Sequence, residues 1–307
     1  MRIVFFGTPE FAVASLEALA EHRETVVAVV TQPDRSRGRS RSNLQHPPVK
    51  DRAISLGIPV LQPAKPAGPD FIAELRSLDA DLGVVVAYGH LLKPEVLAIP
   101  RLGMINVHAS LLPAWRGAAP IQWSIAAGDT RTGVSIMRME AGLDSGPVLL
   151  TREVPIGAND TGGQLTRSLA RLGAGALIEA LERLEAGTAV FAPQDPAEVT
   201  VAPKVGRSVA GIDWAASAAA VANRIRAFDP VPGAWTTGAG GELKCFRPRA
   251  VAGGGAPGTV LDATTRLVVA AADGAVDIGE VQPSGKARMA ASAWLRGHPI
   301  SAGQVLR

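Results

Sequence analysis

In the stretch Met104-Ile105-Asn106-Val107-His108, an amide and an imidazole stand two residues apart. Successive side chains of a β-strand point to opposite faces, so as a strand this stretch would put Asn106 and His108 on one face and Ile105 and Val107 on the other. A third polar group, Asp144, sits in the glycine-flanked run Ala141-Gly142-Leu143-Asp144-Ser145-Gly146-Pro147. An amide donor, an imidazole and a carboxylate can together stabilise negative charge growing on an oxygen and move a proton, which is what addition of a nucleophile to a carbonyl carbon requires. The same residue types also fit plainer duties. Asn106 and His108 could satisfy backbone groups at a strand end, and an Asp between glycines is a common turn former.

The elements around these residues predict where they stand. Arg2–Phe6 is strand-like and apolar, Gly7 and Thr8 make a turn, and Pro9–His22 carries an amphipathic helix with Phe11, Leu16 and Leu19 on its core side. Further strands are predicted at Thr25–Thr31, Ile58–Leu61, Leu82–Tyr88 and Gly103–His108, with helices around Phe71–Leu78 and Ala118–Ala127. Val134–Met139 and Val148–Val154 follow, and then a long Leu/Ala-rich helix over Asp160–Leu184. This alternation predicts an α/β domain with a Rossmann-like, mostly parallel sheet over residues 1–187. Open sheets of this kind gather ligands beyond the carboxyl ends of their strands, where Ala109–Pro113 ends the Asn106/His108 strand.

Residues 188–206 are rich in Pro and polar side chains, the composition of a linker. Beyond them, over 207–307, one helix at Ser217–Phe228 and several short strands between glycine-rich turns predict a small OB-like β-barrel.

Composition agrees with two cores in one chain: 307 residues, 47% hydrophobic and 4% aromatic. The single cysteine, Cys245, excludes a disulfide framework and multi-cysteine zinc sites, so a reducing compartment is expected and no metal site is evident. The N-terminal apolar run, broken by Gly7 and Pro9, is too short for a signal peptide or a membrane span, so the expected location is cytoplasmic.

Net charge is only +3, but it is unevenly placed. Arg35, Arg37, Arg39 and Arg41 alternate between Asp34 and Ser42, and Lys50 follows. Such a run is either a solvated loop or a set of guanidinium groups laid along phosphates and exposed bases. Residues 207–307 add eleven Lys and Arg against seven Asp and Glu, a mild excess suited to an RNA backbone or to an ordinary basic domain.

The motifs GTPEFA, TQPDR, PVK, VVVAYG, INVH, SLLPAWRGAAPIQ and GLDSGPVL occur in that order. They are followed by Asp213-Trp214, by RAFDPVPGAW at Arg226–Trp235 and by APGTVL at Ala256–Leu261. In this series the chain resembles the folate-dependent formyltransferases, and within them the branch that acts on methionyl-tRNA, over nearly its whole length. The resemblance implies 10-formyltetrahydrofolate as co-substrate. It also implies transfer of the formyl group to the α-amino group of methionine on initiator tRNA, by direct attack through a tetrahedral intermediate.

It makes Asn106, His108 and Asp144 catalytic. Asn106 would stabilise the oxyanion, His108 would assist there and in proton movement, and Asp144 would orient the imidazole and relay a proton. It has Ser110, Leu111, Leu112 and Pro113 contact the folate, and Tyr88 line the pterin pocket, although Tyr88 also fits as a plain core aromatic. Arg39 matches the base-reading arginine of a loop that inserts at the tRNA acceptor stem, with Arg37, Arg41 and Lys50 at phosphates, and the β-barrel is expected to bind tRNA. No protein partner is implied, and a monomer is expected.

Two positions depart from the family pattern: Ala114 stands where a basic residue is usual, and Val231 where Trp is common. The alternative acceptor is a sugar-nucleotide amine, whose enzymes share the catalytic trio. A glycinamide ribonucleotide enzyme would be a single shorter domain with a glycine-rich phosphate loop after its first strand, and Gly7-Thr8-Pro9-Glu10 lacks that loop. A nicotinamide-dependent oxidoreductase would need a G-x-G-x-x-G turn there, and none is present.

Overall fold

The computed structural model describes residues 1–37, 43–238, 240–298 and 300–307, without the side chains of Arg37 and Asn43. The chain forms two compact units that interleave along the sequence. The first comprises Met1–Ala118, Gly133–Val154 and Thr166–Ala202, and the second Ala119–Thr132, Pro155–Leu165 and Pro203–Arg307.

The first unit starts with β1 (Arg2–Gly7), all of it buried except Arg2, and α1 (Glu10–Glu21), which faces the core with Ala12, Ser15, Leu16 and Leu19. That spacing of three and four residues is the apolar stripe of a helix on a sheet. β2 (Thr25–Val30) pairs with β1 in parallel. A short antiparallel hairpin, β3 (Arg35–Arg37) and β4 (Asn43–Gln45), then brings Arg35 opposite Gln45. The arginine run is thus a hairpin at its base, where composition had left a loop as one option.

After it come α2 (Pro48–Ser55), β5 (Val60–Leu61), α3 (Pro69–Ser77), β6 (Leu82–Val86), α4 (Pro94–Leu97) and β7 (Met104–His108). Next in the chain are the two-residue β8 (Arg116–Gly117), then α5 (Pro120–Ala127), which belongs to the second unit, and β9 (Arg131–Arg138), β10 (Val148–Pro155) and the 24-residue α6 (Gly162–Glu185).

The main sheet runs β10-β9-β7-β6-β1-β2-β5. The five strands from β7 to β5 are parallel, and β9 is antiparallel to β7. All five residues of β6 are buried, as expected of a central parallel strand covered on both faces. The carboxyl ends of β1, β2, β6 and β7 therefore lie along one edge, and their loops share it.

The strap after α6 returns to this unit: Ala192 bridges Val148, and β11 (Val201–Ala202) pairs in parallel with β8.

In the second unit, α7 (Ala218–Ala227) is capped by Ser217, whose hydroxyl accepts from Ala220 N. The strands β12 (Ala234–Gly238), β13 (Gly241–Val251), β14 (Val260–Asp262), β15 (Leu267–Ala270), β16 (Ala275–Pro283) and β17 (Met289–Ala290) precede α8 (Ala291–Gly297). They form one antiparallel sheet in the order β12-β13-β16-β15-β14, with β17 on β16, curled into the half-barrel of an OB-like domain. Its interior holds Trp214, whose indole donates to Thr236 Oγ1 at 3.0 Å. Among the described residues, no helix is long and apolar enough to cross a membrane.

Candidate active site

Pairing of β7 with β9 sets Asn106 opposite Met137 and His108 opposite Ser135, which confirms the two-residue spacing as a shared face. Asn106 is half-buried and, among the described residues, its amide makes no side-chain hydrogen bond. The His108 ring is nearly enclosed, with Nε2 3.0 Å from Trp115 O. A carbonyl can only accept, so Nε2 carries the proton and donates, and Nδ1 is the nitrogen that faces Asp144.

Asp144 does stand by the imidazole, but not in a direct hydrogen bond. Its Oδ2 is 3.7 Å from His108 Nδ1 and accepts instead from Gly117 N at 2.8 Å. The side chains are 7% and 14% exposed, so the pair is withdrawn from bulk water. This separation leaves room for a water or a reacting group to join the two.

The loops at this edge of the sheet hold unusual backbone. Ala87, Trp115 and Asp144 have φ of 47°, 60° and 47°, three of the five left-handed non-glycine residues in the described chain. Each such residue costs on the order of 1–3 kcal/mol, and persists where neighbours over-determine it. Here they do. Trp115 N donates to Thr200 Oγ1 at 2.8 Å, and Arg116 N to Thr200 O at 2.9 Å. Gly117, at φ 124°, lies so close to the strap that a Cβ would sit 2.7 Å from Ala202 O.

The loop expected to touch a folate is built from within. Ser110 is fully buried and its hydroxyl donates to Ala114 O at 2.6 Å, so its side chain shapes the loop. Ser135 Oγ, from β9, donates to Ser110 O and accepts from Leu112 N, clamping the turn from below. Leu111 and Pro113 are half-buried and Leu112 is buried. Ala114 contributes the carbonyl that Ser110 needs, a role that is independent of its side chain.

Tyr88 is 1% exposed, and its ring packs edge-on against Phe6 at 5.4 Å. The core alternative holds for its ring, and burial pushes its phenol up to about 12. Its carbonyl, however, accepts from Thr8 Oγ1 at 2.9 Å and Gln32 Nε2 at 3.0 Å, at the wall of a cavity of about 340 Å³. That cavity opens at the ends of β1, β2 and β6 and is bounded by Thr8, Gln32, Arg35 and His46; none of the trio lines it.

At the base of the hairpin, Lys50 Nζ donates to Asp34 Oδ2 at 2.6 Å, and Gln62 Nε2 donates to Asp34 Oδ1 at 2.8 Å. These two hydrogen bonds, Gln62 first, hold the Asp34 carboxyl below the usual range. Lys50 can therefore reach a phosphate only by giving up this pair. Arg39 and Arg41 lie outside the described residues, and of Arg37 only the backbone in β3 is described. Among the described residues, no group of three or more His, Cys, Asp or Glu is placed to hold a metal ion.

Residues 1–181 match the formyl transferase family model, and residues 204–299 match that of the formyl transferase C-terminal domain. A methionyl-tRNA formyltransferase of Symbiobacterium thermophilum is 50% identical over 99% of this chain and 94% of its own. Among solved structures, the sugar 3N-formyl transferase WlaRD superposes with a TM-score of 0.66 at 16% identity, covering 94% of this chain and 99% of that one. HypX from Aquifex aeolicus, in complex with tetrahydrofolic acid, gives 0.63 at 21% identity over 96% of this chain, which spans about half (47%) of HypX. The last two show a shared fold. The identity with the first extends from end to end, and both family models match in order: the chain belongs to the formyl transferase family, within its methionyl-tRNA formyltransferase branch.

Proposed function

We propose that this chain moves a formyl group from 10-formyltetrahydrofolate to the α-amino group of methionine carried on initiator tRNA. The observation that carries this reading is the placement of Asn106, His108 and Asp144 on one strand-end edge, with an amide that has no side-chain partner among the described residues and a carboxylate 3.7 Å from an imidazole.

The donor supplies a formyl carbon and a folate nitrogen that leaves. Attack by the amine forms a C–N bond and puts negative charge on the formyl oxygen and positive charge on the amine. Breaking the bond to the folate nitrogen then returns the electron pair to that atom, which takes up the proton that the amine loses. The Asn106 amide fits the oxyanion because it has no other partner among the described residues. His108, its Nε2 fixed by Trp115 O, presents Nδ1 towards the pair of reacting groups and Asp144. Asp144, anchored by Gly117 N, keeps one carboxylate oxygen beside the ring and can pass a proton through a bridging water.

The residues present also fit a folate. Leu111, Leu112 and Pro113 offer apolar surface on a turn held by Ser135, and the strand-end loop beside Tyr88 offers backbone donors and acceptors at a rim. The cavity bounded by Arg35 and His46 lies at the root of the arginine hairpin on the same edge, which supports entry of the acceptor's 3′ end from that side. Arg37, Arg39 and Arg41 then meet the acceptor stem, Arg39 at a base, with Lys50 steadying the hairpin through Asp34 until a phosphate competes for it. The half-barrel of residues 207–307 supplies further positive surface to the tRNA. A cytoplasmic setting accords with a lone, buried thiol, and the chain is proposed to act as a monomer.

Asn106→Ala is expected to bind the folate donor normally and to lose roughly 10²–10³-fold in kcat, the usual cost of one oxyanion donor. Near-normal turnover in this variant would refute the assignment.

A further inference from the structure

Gln194 lies in the proline-containing strap between α6 and β11, a segment whose composition marks it as connector. Its side chain does far more than connect. Nε2 donates to Asp144 O at 2.8 Å and to Gly146 O at 2.7 Å, while Oε1 accepts from Arg116 Nε at 3.0 Å and Nη2 at 2.8 Å. A primary amide has two N–H donors and a carbonyl with two lone pairs, so all four of its hydrogen-bonding capacities are spent on these two loops. The orientation of the amide follows from its partners, since backbone carbonyls can only accept and a guanidinium can only donate.

We propose that Gln194 is a positioning residue for formyl transfer, an amide clamp that ties the Asp144 loop to the Arg116 loop and so sets the carboxylate opposite His108. The proposal rests on the catalytic reading of Asp144 and His108.

Three features make the clamp specific. The Asp144 loop needs an external hold, because Asp144 is left-handed at φ 47° and Gly146 passes so near Arg138 that a Cβ would fall 1.9 Å from its carbonyl oxygen. The strap is itself pinned: Ala192 and Val148 exchange both backbone hydrogen bonds, and the Arg138 guanidinium lies 4.2 Å over the Phe191 ring. Finally, the residue type is dictated. Glu has no donor for the two carbonyls, Asn is one methylene shorter, and Met of similar length can neither donate nor accept strongly. The carboxylate is then located twice, by Gly117 N on its oxygen and by Gln194 on the backbone of its own residue.

The test is a double-mutant cycle in the full-length enzyme between Gln194→Met and Asp144→Asn, with kcat, donor KM, the pH–rate profile and the His108 imidazole NMR shifts as readouts. Gln194→Met alone is expected to lower kcat about 10–100-fold, the effect of displacing a reacting group by around an ångström, while donor KM and folate binding stay as in the parent. The His108 resonances and the pH profile should shift with it. In the Asp144→Asn background the same substitution should cost little more, since both act at one carboxylate.

An equal loss in both backgrounds, or unaltered His108 resonances, would overturn the clamp. Near-normal turnover of Asp144→Asn itself would instead remove the catalytic reading beneath it. If Gln194→Met does not fold, Gln194→Glu replaces it; this variant keeps the Arg116 contact and turns a carboxylate on the Asp144 and Gly146 carbonyls. It is expected to lose kcat similarly, with partial recovery as falling pH lets the carboxyl donate. Turnover equal to the parent across that range would refute the clamp.

Discussion

The proposed reaction site and the root of the arginine hairpin stand on the same sheet edge but are held by different kinds of contact. Around Asn106, His108 and Asp144, loops from β7, β9 and the strap are cross-tied by Ser135, Thr200, Gly117 and Gln194, and every tie fixes a backbone segment. Among the described residues, the hairpin is tied at its root by the three residue pairs of β3 and β4, by the Asp34–Lys50–Gln62 cluster and by Arg35 donating to Gln32 Oε1. Chemistry on a carbonyl tolerates displacements well under an ångström, which explains the investment in cross-ties. Reading a nucleic acid calls for arginines carried on a firmly rooted segment, and Asp34, Lys50 and Gln62 supply that root.

The largest effects should therefore fall on the reaction site. Combining Asn106→Ala with His108→Ala should lower turnover by much less than the product of the single losses, because groups that act on one transition state are not additive. Full additivity in single-turnover rates would mean that the two serve separate steps.

The hairpin should respond differently. Arg39→Ala is expected to raise KM for methionyl initiator tRNA by about 5–150-fold, the range for losing one specific base contact, and to leave donor binding intact. A parallel loss of folate affinity would merge the two regions into one.

Much of this contrast is legible in the sequence and some of it is not. The strands and the Asn106/His108 face follow from alternation and from continuous apolar runs, which β6 and β7 obey closely. The OB-like half-barrel follows from short strands between glycine turns. The hairpin at Arg35–Gln45 does not, because three-residue strands of Arg and Ser carry no hydrophobic period. Helices α4 and α8, of four and seven residues, are too short for one as well.

Within the site, the sequence offers residue types but not partners. Ser110 is the clearest case: a polar residue in a signature loop whose hydroxyl is spent on Ala114 O. Gln194 is the converse, a polar residue in a connector with no local pattern, tied to groups roughly fifty and eighty positions away. Long-range hydrogen bonds of this kind leave no periodic trace.

The smallest expected effect lies far from both regions. Cys245 is fully buried, and burial pushes its thiol up to about 12, so it should resist thiol reagents at neutral pH in the native protein and react on unfolding. Titration with a chromogenic disulfide, with and without denaturant, checks this; rapid native labelling would contradict the buried placement.

The central claim is that one site moves the formyl group while the hairpin selects what receives it. Formylation measured with 10-formyltetrahydrofolate and three acceptors, methionyl initiator tRNA, methionyl elongator tRNA and a sugar-nucleotide amine, tests it most directly. The account predicts product from the initiator tRNA alone, and formylation of the sugar amine at a comparable rate would contradict it.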